Sequence, residues 1–167
     1  ERNNASFSLG DGISFSFNEG DYEFNIYGFI KPTYIYNDEK IYTADGEYSN
    51  VFRQFKSQNS NLFFTGFAKD EKLSFTIQMD YSSSNPLVEA FIGYHFNEKT
   101  TLYFGQMQVN HNNLEMTYNE DRLRFTNRGI LSQTYTENGE EFGLFFETSF
   151  GKSIIFKPTL AITSGDG

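Results

Sequence analysis

Apolar and polar residues alternate one by one along much of this chain. Residues 73–82 are the clearest case, because every second side chain there is apolar and the intervening ones are polar. Successive side chains of an extended chain point to opposite faces, so this period of two predicts a β-strand with one apolar and one polar face. A helix would scatter the same apolar residues around its axis. The apolar positions are Leu73, Phe75, Ile77, Met79 and Tyr81, and the polar ones are Ser74, Thr76, Gln78, Asp80 and Ser82.

The same alternation predicts strands before and after this segment. Together they give about seven strands and no convincing helix, so the predicted fold class is all-β. Pro32 and Pro158 should each mark a bulge or a strand end, because proline cannot donate to the hydrogen-bond ladder. The other predicted strands cover residues 24–31, 61–69, 87–96, 101–109, 141–150 and 153–163.

The beginning of the chain lacks this pattern. Residues 3–20 are rich in Asn, Ser and Gly. We therefore expect residues 1–20 to form a flexible N-terminal leader, with one short pairing segment at residues 13–17, and residues 21–167 to form the β domain.

The connectors between the predicted strands alternate between tight turns and other, mostly longer, segments. In an up-and-down antiparallel sheet alternate connectors lie at the same end, so one end carries tight turns and the other mostly long loops. That asymmetry is typical of outer-membrane β-barrels, which have short periplasmic turns and longer extracellular loops. The tight turns are predicted at residues 69–72, 97–100 and 151–153, and the other connectors at residues 37–60, 82–86 and 110–138.

Composition supports the same fold class. Aromatic residues make up 19% of the chain, yet its mean hydropathy is -0.53, as expected for strands with one apolar and one polar face. No run approaches the roughly 18 apolar residues of a transmembrane helix, but a barrel strand needs only about 9–11 residues. With no cysteine, the chain has no disulfide framework or thiolate site. Its net charge of -9 disfavours nucleic-acid partners.

A barrel of about seven strands could not close in a membrane, where an open edge leaves unpaired backbone groups and bacterial single-chain barrels use even strand numbers. We therefore expect residues 21–167 to be the incomplete first part of a larger antiparallel up-and-down transmembrane β-barrel.

Five segments follow one another along the chain: residues 8–15 (SLGDGISF), 24–32 (FNIYGFIKP), 75–81 (FTIQMDY), 88–94 (VEAFIGY) and 102–107 (LYFGQM). In this order they resemble the opening strands of the phosphate-selective porin O and P family. The resemblance implies a barrel of about 16–18 strands in the bacterial outer membrane, in contact with lipid, and a homotrimer or a larger outer-membrane complex. Phosphate selectivity is not carried over, because the chain has 13 Lys and Arg against 22 Asp and Glu.

Five basic residues are candidates for lining a pore and attracting anions. In an extended segment Arg122, Arg124 and Arg128 point to one side, and a row of arginines in a pore attracts anions. The alternative is a solvated loop whose arginines pair with nearby carboxylates. Lys31 and Lys157 lie opposite the apolar positions of their strands and would face a lumen, or solvent on a soluble sheet.

The sequence indicates no catalytic residue, metal site or cofactor. His95 and His111 are not at a metal-ligand spacing, and the serines of residues 82–84 have no base nearby in sequence. We therefore expect a porin, not an enzyme, that allows passive diffusion of small polar or anionic solutes. The alternatives are a non-conducting accessory or scaffold barrel in an outer-membrane complex, and a soluble all-β binding module.

Overall fold

The computed structural model describes residues 3–68, 70–109 and 139–165, which form one antiparallel sheet. Its strands follow one another in chain order, so the predicted all-β, up-and-down topology is confirmed. The sheet is open, with β1 at one edge and β9 at the other. The strands are β1 (Asn4–Ser8), β2 (Gly12–Phe17), β3 (Tyr22–Thr43), β4 (Gly46–Ala68), β5 (Leu73–Asp80), β6 (Leu87–Asn97), β7 (Thr100–Gln108), β8 (Glu140–Thr148) and β9 (Thr159–Thr163).

The described residues contain nine strands where about seven were predicted. The two additional strands are β1 and β2, which lie in the segment expected to be a leader. The predicted pairing segment at residues 13–17 is confirmed, because it is β2 and pairs with both β1 and β3. A single 3-10 turn, Asn18–Gly20, connects β2 to β3.

Within the described residues, no helix is long and apolar enough to cross a membrane.

The connector predicted at residues 37–60 is wrong, because these residues continue β3 and β4. The two strands pair up to Thr43 and Gly46. β2 pairs with β3 only as far as Ile26, and β5 pairs with β4 only from Asn61. Residues 32–57 therefore form a two-stranded extension beyond the sheet, which we call the ribbon. Its strands lack a clear apolar alternation because both faces of the ribbon are largely exposed.

Tight turns join the strands at the opposite end of the sheet from the ribbon. Asp70 and Glu71 both have positive φ, 53° and 63°, as in the type I′ turns that match the twist of a hairpin. Asn97 pairs directly with Thr100, and its side-chain Oδ1 accepts a hydrogen bond from the backbone N of Lys99 at 2.9 Å. The short turns predicted around Asp70 and at residues 97–100 are thus confirmed. The one predicted at residues 151–153 is wrong, because residues 149–158 all lie between the end of β8 at Thr148 and the start of β9 at Thr159.

The strand predicted at residues 153–163 begins later than expected. β9 starts at Thr159, directly after Pro158, and only an isolated bridge between Phe150 and Phe156 precedes it. The carbonyl of Pro158 still accepts a hydrogen bond from the backbone N of Thr148. Proline thus marks the start of the strand, as predicted. The other predicted anomaly, at Pro32, is a register shift in the pairing of β3 with β4.

The register aligns side chains of the same kind across the sheet. Directly opposed residues share a face. One row crosses all nine strands through apolar residues and one glycine, and the next row crosses them mainly through small and polar residues. The first row is Ala5, Phe15, Phe24, Gly66, Phe75, Ile92, Phe104, Leu144 and Ile162. The second is Ser6, Ser14, Asn25, Thr65, Thr76, Phe91, Gly105, Gly143 and Thr163.

We call the surface that contains the first row the apolar face and the surface that contains the second row the polar face. The apolar face is the more exposed of the two: Ile92 is 54% exposed and Ile162 69%. Among the described residues, all the buried side chains larger than glycine lie on the polar face. They are Asn61, Phe63, Thr101 and Phe145.

Gly66 makes room for aromatic packing on the apolar face. It lies directly opposite Phe24 on one side and Phe75 on the other, and the two rings stack with their centroids 6.1 Å apart. A Cβ at this position would lie 2.6 Å from Cε1 of Phe75 and would also clash with the backbone oxygen of Glu23. Glycine is therefore needed for this cross-strand pair.

We predict that Gly66→Val destabilises the sheet by about 1–3 kcal/mol, because the added side chain separates the rings and strains the backbone. The measurement is the urea midpoint followed by far-UV circular dichroism. Thr65→Val is the matched control, since it places the same side chain one residue away on the opposite face. Equal midpoints for the two variants would contradict the close packing at Gly66.

Candidate functional site

Outside the ribbon, the polar face carries most of the hydrogen-bonding side chains of the sheet. Its middle row is made largely of small residues, including Asn25, Thr65, Thr76, Gly105 and Gly143. Aromatic rings lie beside that row, and within it at Phe91, and pack closely on one another. Tyr27 stacks on Phe63 at a centroid distance of 4.7 Å, and Phe91 meets Tyr103 edge to face at 5.4 Å.

His95 connects three strands at the tight-turn end of the polar face. Its Nε2 lies 2.8 Å from Oγ of Ser74 on β5, and its Nδ1 lies 2.9 Å from Oγ1 of Thr101 on β7. The edge of the imidazole ring also meets Tyr103, at a centroid distance of 6.3 Å. Both hydroxyls can donate or accept, so this bridge accommodates either tautomer of His95. The arrangement ties β5, β6 and β7 together by side chains as well as by backbone.

Asp80 organises the opposite end of the polar face, where β5 leads into the connector to β6. Its Oδ1 accepts hydrogen bonds from the backbone N of Ser60 at 3.1 Å and of Ser82 at 2.9 Å. Ser60 lies at the base of the ribbon, and the backbone N of Tyr81 also donates to its carbonyl. One carboxylate thus joins the β5–β6 connector to the base of the ribbon.

A buried amide lies beside Asp80 on the polar face. Asn61, directly opposite Asp80, is 4% exposed, and its Oδ1 accepts a hydrogen bond from Nε2 of Gln78 at 2.9 Å. Its Nδ2 has no hydrogen-bond partner among the described residues. A cluster of polar side chains, those of Asn61, Gln78 and Asp80, thus lies at the end of the sheet nearest the ribbon.

Acidic side chains continue the polar face across β6 and β8. Oε1 of Glu89 accepts a hydrogen bond from the backbone N of Gln108 at 3.1 Å. Glu141 pairs with Met107, and Glu147 pairs with Thr101, which places both carboxylates on the polar face. Glu147 and Lys157 line a cavity of about 320 Å³ whose other walls include Phe145 and Ala161.

The predicted pore-lining residues fall into two groups. Arg122, Arg124 and Arg128 lie outside the described residues. Lys157 lies beside the polar face, close to Glu147. Lys31 is half-buried at the register shift between Ile30 and Pro32. Their pore-lining, anion-attracting role stays a prediction.

The spacing of the histidines in the sequence bears on metal binding and does not reveal the His95 bridge. Strand alternation places His95 opposite the apolar residues of β6, which is a usable signal. The partners, however, are 21 residues before it and six residues after it. Only the cross-strand register identifies them. Within the described part of the chain, no group of three His, Asp or Glu side chains is arranged to hold a metal ion.

Comparison with protein-family models found none that matches this chain, and comparison with curated proteins found no similar sequence. The porin resemblance therefore stays a prediction.

We predict that His95→Phe destabilises the protein by about 1–3 kcal/mol, because it keeps a ring but removes the imidazole nitrogens that bond the hydroxyls of Ser74 and Thr101. Ser74→Ala alone should cost about 1 kcal/mol or less. In the His95→Phe background the same serine change should cost nearly nothing. Urea unfolding of the four proteins forms a double-mutant cycle, and a coupling energy near zero would contradict the bridge.

Proposed function

We propose that this chain is the first part of an outer-membrane β-barrel that lets small polar solutes diffuse passively through its lumen. The observation that carries the proposal is the distribution of burial between the two faces. The exposed surface of the sheet is apolar, and the less exposed surface holds the hydrogen-bonding side chains. A membrane barrel has this arrangement, with an apolar outer band and a polar interior.

The extent of the exposed apolar face favours lipid as its surroundings. Monomeric soluble proteins rarely expose continuous apolar patches larger than a few hundred Å². Here one apolar row continues over nine strands, and neighbouring positions such as Tyr94, Phe146 and Leu160 are exposed as well. A bilayer would cover this surface without any additional protein layer.

Three of the polar side chains on the apolar face have partners within the protein, which supports the same environment. Nε2 of Gln106 donates to the carbonyl of Val88 at 2.9 Å, and the hydroxyls of Thr100 and Thr148 lie 3.1 Å apart. In hydrocarbon an unsatisfied polar group costs several kcal/mol, so internal partners are required there. These residues meet that requirement without water.

Closure of the barrel needs further strands. An open sheet leaves unpaired N–H and C=O groups at its edges, which hydrocarbon does not tolerate. We propose that the free edges of β1 and β9 pair with additional strands, giving a barrel of about 16–18 strands as the porin resemblance implies. The ribbon would then extend from the end of the barrel that carries the longer connectors, and the tight turns would lie at the periplasmic end.

The lumen would select among solutes by their size and charge. The polar face offers hydroxyl, amide and carboxylate groups to permeating solutes, and its central row of small residues leaves space beside the wall. Solutes would move down their own concentration gradients, with selectivity set by the pore diameter and by the charge of the wall. Neither a covalent step nor an energy source is involved.

We predict that Ile92→Arg reduces insertion into lipid vesicles, because an arginine near the middle of the apolar face costs about 2–4 kcal/mol in the bilayer. Ile41→Arg is the matched control, since Ile41 is also exposed but lies on the ribbon. Insertion is measured as the fraction of protein whose gel mobility changes on heating. If the two variants insert equally well, the apolar face does not contact lipid.

We predict discrete current steps when the full-length protein is added to a planar lipid bilayer. Detergent-free solubility with no insertion would contradict the membrane assignment and favour a soluble all-β binding module. Insertion without current would contradict diffusion and favour a non-conducting accessory barrel.

A further inference from the structure

The described part of the polar face is acidic. It carries five carboxylates, and two lysines lie on or beside it. One of these lysines, Lys157, shares its cavity with Glu147, so a carboxylate offsets its charge locally. The five acidic residues are Glu23, Asp80, Glu89, Glu141 and Glu147.

The carboxylates are spread along the face and not gathered at one point. Glu23 and Glu147 lie toward the tight-turn end, whereas Asp80, Glu89 and Glu141 lie toward the end from which the ribbon extends. The hydrogen bonds described for Asp80 and Glu89 come from the uncharged donors of Ser60, Ser82 and Gln108. Such bonds leave the negative charge of a carboxylate in place.

The candidate arginines do not outweigh this charge in the sequence. Residues 110–138 contain three arginines, Arg122, Arg124 and Arg128, but also four carboxylates. The segment is therefore net negative, like the chain as a whole.

We propose that the pore prefers cations, and that the carboxylates of the polar face, with Glu89 and Glu141 foremost, set this preference. The inference rests on the proposed barrel. A wall with excess negative charge beside a low-dielectric protein focuses its field into the channel, which raises the local concentration of cations and lowers that of anions. Rings of Asp and Glu act in this way in cation channels, and rings of Arg and Lys favour anions. The permeant class is therefore small inorganic and organic cations and neutral polar solutes, in place of the anions that the arginines suggest.

The test is the reversal potential of the full-length protein in a planar bilayer under an about tenfold gradient of KCl at low ionic strength, where screening is weak. We expect the reversal potential to have the sign that corresponds to a higher permeability for K⁺ than for Cl⁻. The double variant Glu89→Gln, Glu141→Gln should lower the K⁺ to Cl⁻ permeability ratio at least about twofold, the effect of one unit charge acting over roughly 8 Å of water.

The matched control is Glu71→Gln with Glu98→Gln, which removes the same charge from the two tight turns. It should change the ratio much less. Heat-dependent gel mobility checks that each variant folds, and Glu141→Gln alone replaces the double variant if that one does not.

The outcomes separate this inference from the proposed function. Current with a preference for Cl⁻, or a K⁺ preference that the Glu89 and Glu141 variants leave unchanged, would overturn the inference and leave the porin proposal standing. The absence of any current from inserted protein would overturn both.

Discussion

The cross-strand register determines which side chains share a face of the sheet. Side chains alternate between faces at every residue, so a slip of one position in any strand would exchange its apolar and polar sides. Register shifts occur in the pairing of β3 with β4, of β5 with β6 and of β6 with β7. All three lie near strand ends of the part of the sheet outside the ribbon. Between those shifts the alternation is uninterrupted. The separation of the two faces is therefore a property of the pairing and does not depend on any single residue.

Glycine and aromatic residues serve this register in the same way on both faces. On the apolar face Gly66 gives Phe24 and Phe75 room to stack. On the polar face a Cβ at Gly93 would lie 2.8 Å from the ring of Tyr103, so that ring occupies the space above glycine. An aromatic ring that covers a cross-strand glycine replaces the packing that the glycine lacks and helps to fix the register. The ring of Tyr103 in turn reaches His95, so close packing and the hydrogen-bonded bridge support the same three strands.

How well a strand can be predicted from the sequence depends on the environment of its two faces. β5 was predicted well because one of its faces is apolar throughout and the other is polar. The ribbon and β1 were missed because both of their faces are exposed, so no alternation is required of them. The contacts of His95 with Ser74 and Thr101 could not be predicted, since they depend on which residues the register places opposite one another. The positions of Lys31 and Lys157 depend on irregular backbone near prolines, where alternation gives no guidance.

The shape of the apolar face supports the proposed contact with lipid over a contact with a second protein layer. A second protein layer packs against a sheet over the strands that it overlaps, and the strand ends and remaining strands then turn polar. Here the apolar row runs without a polar interruption from β1 to β9. The opposite face offers no apolar alternative, because its rings pack on one another, as Tyr27 does on Phe63, and the carboxylate of Glu147 lies next to Phe145 on β8. A row of side chains that stays apolar across every strand of the sheet matches surroundings that are equally apolar along that whole direction, as the interior of a bilayer is.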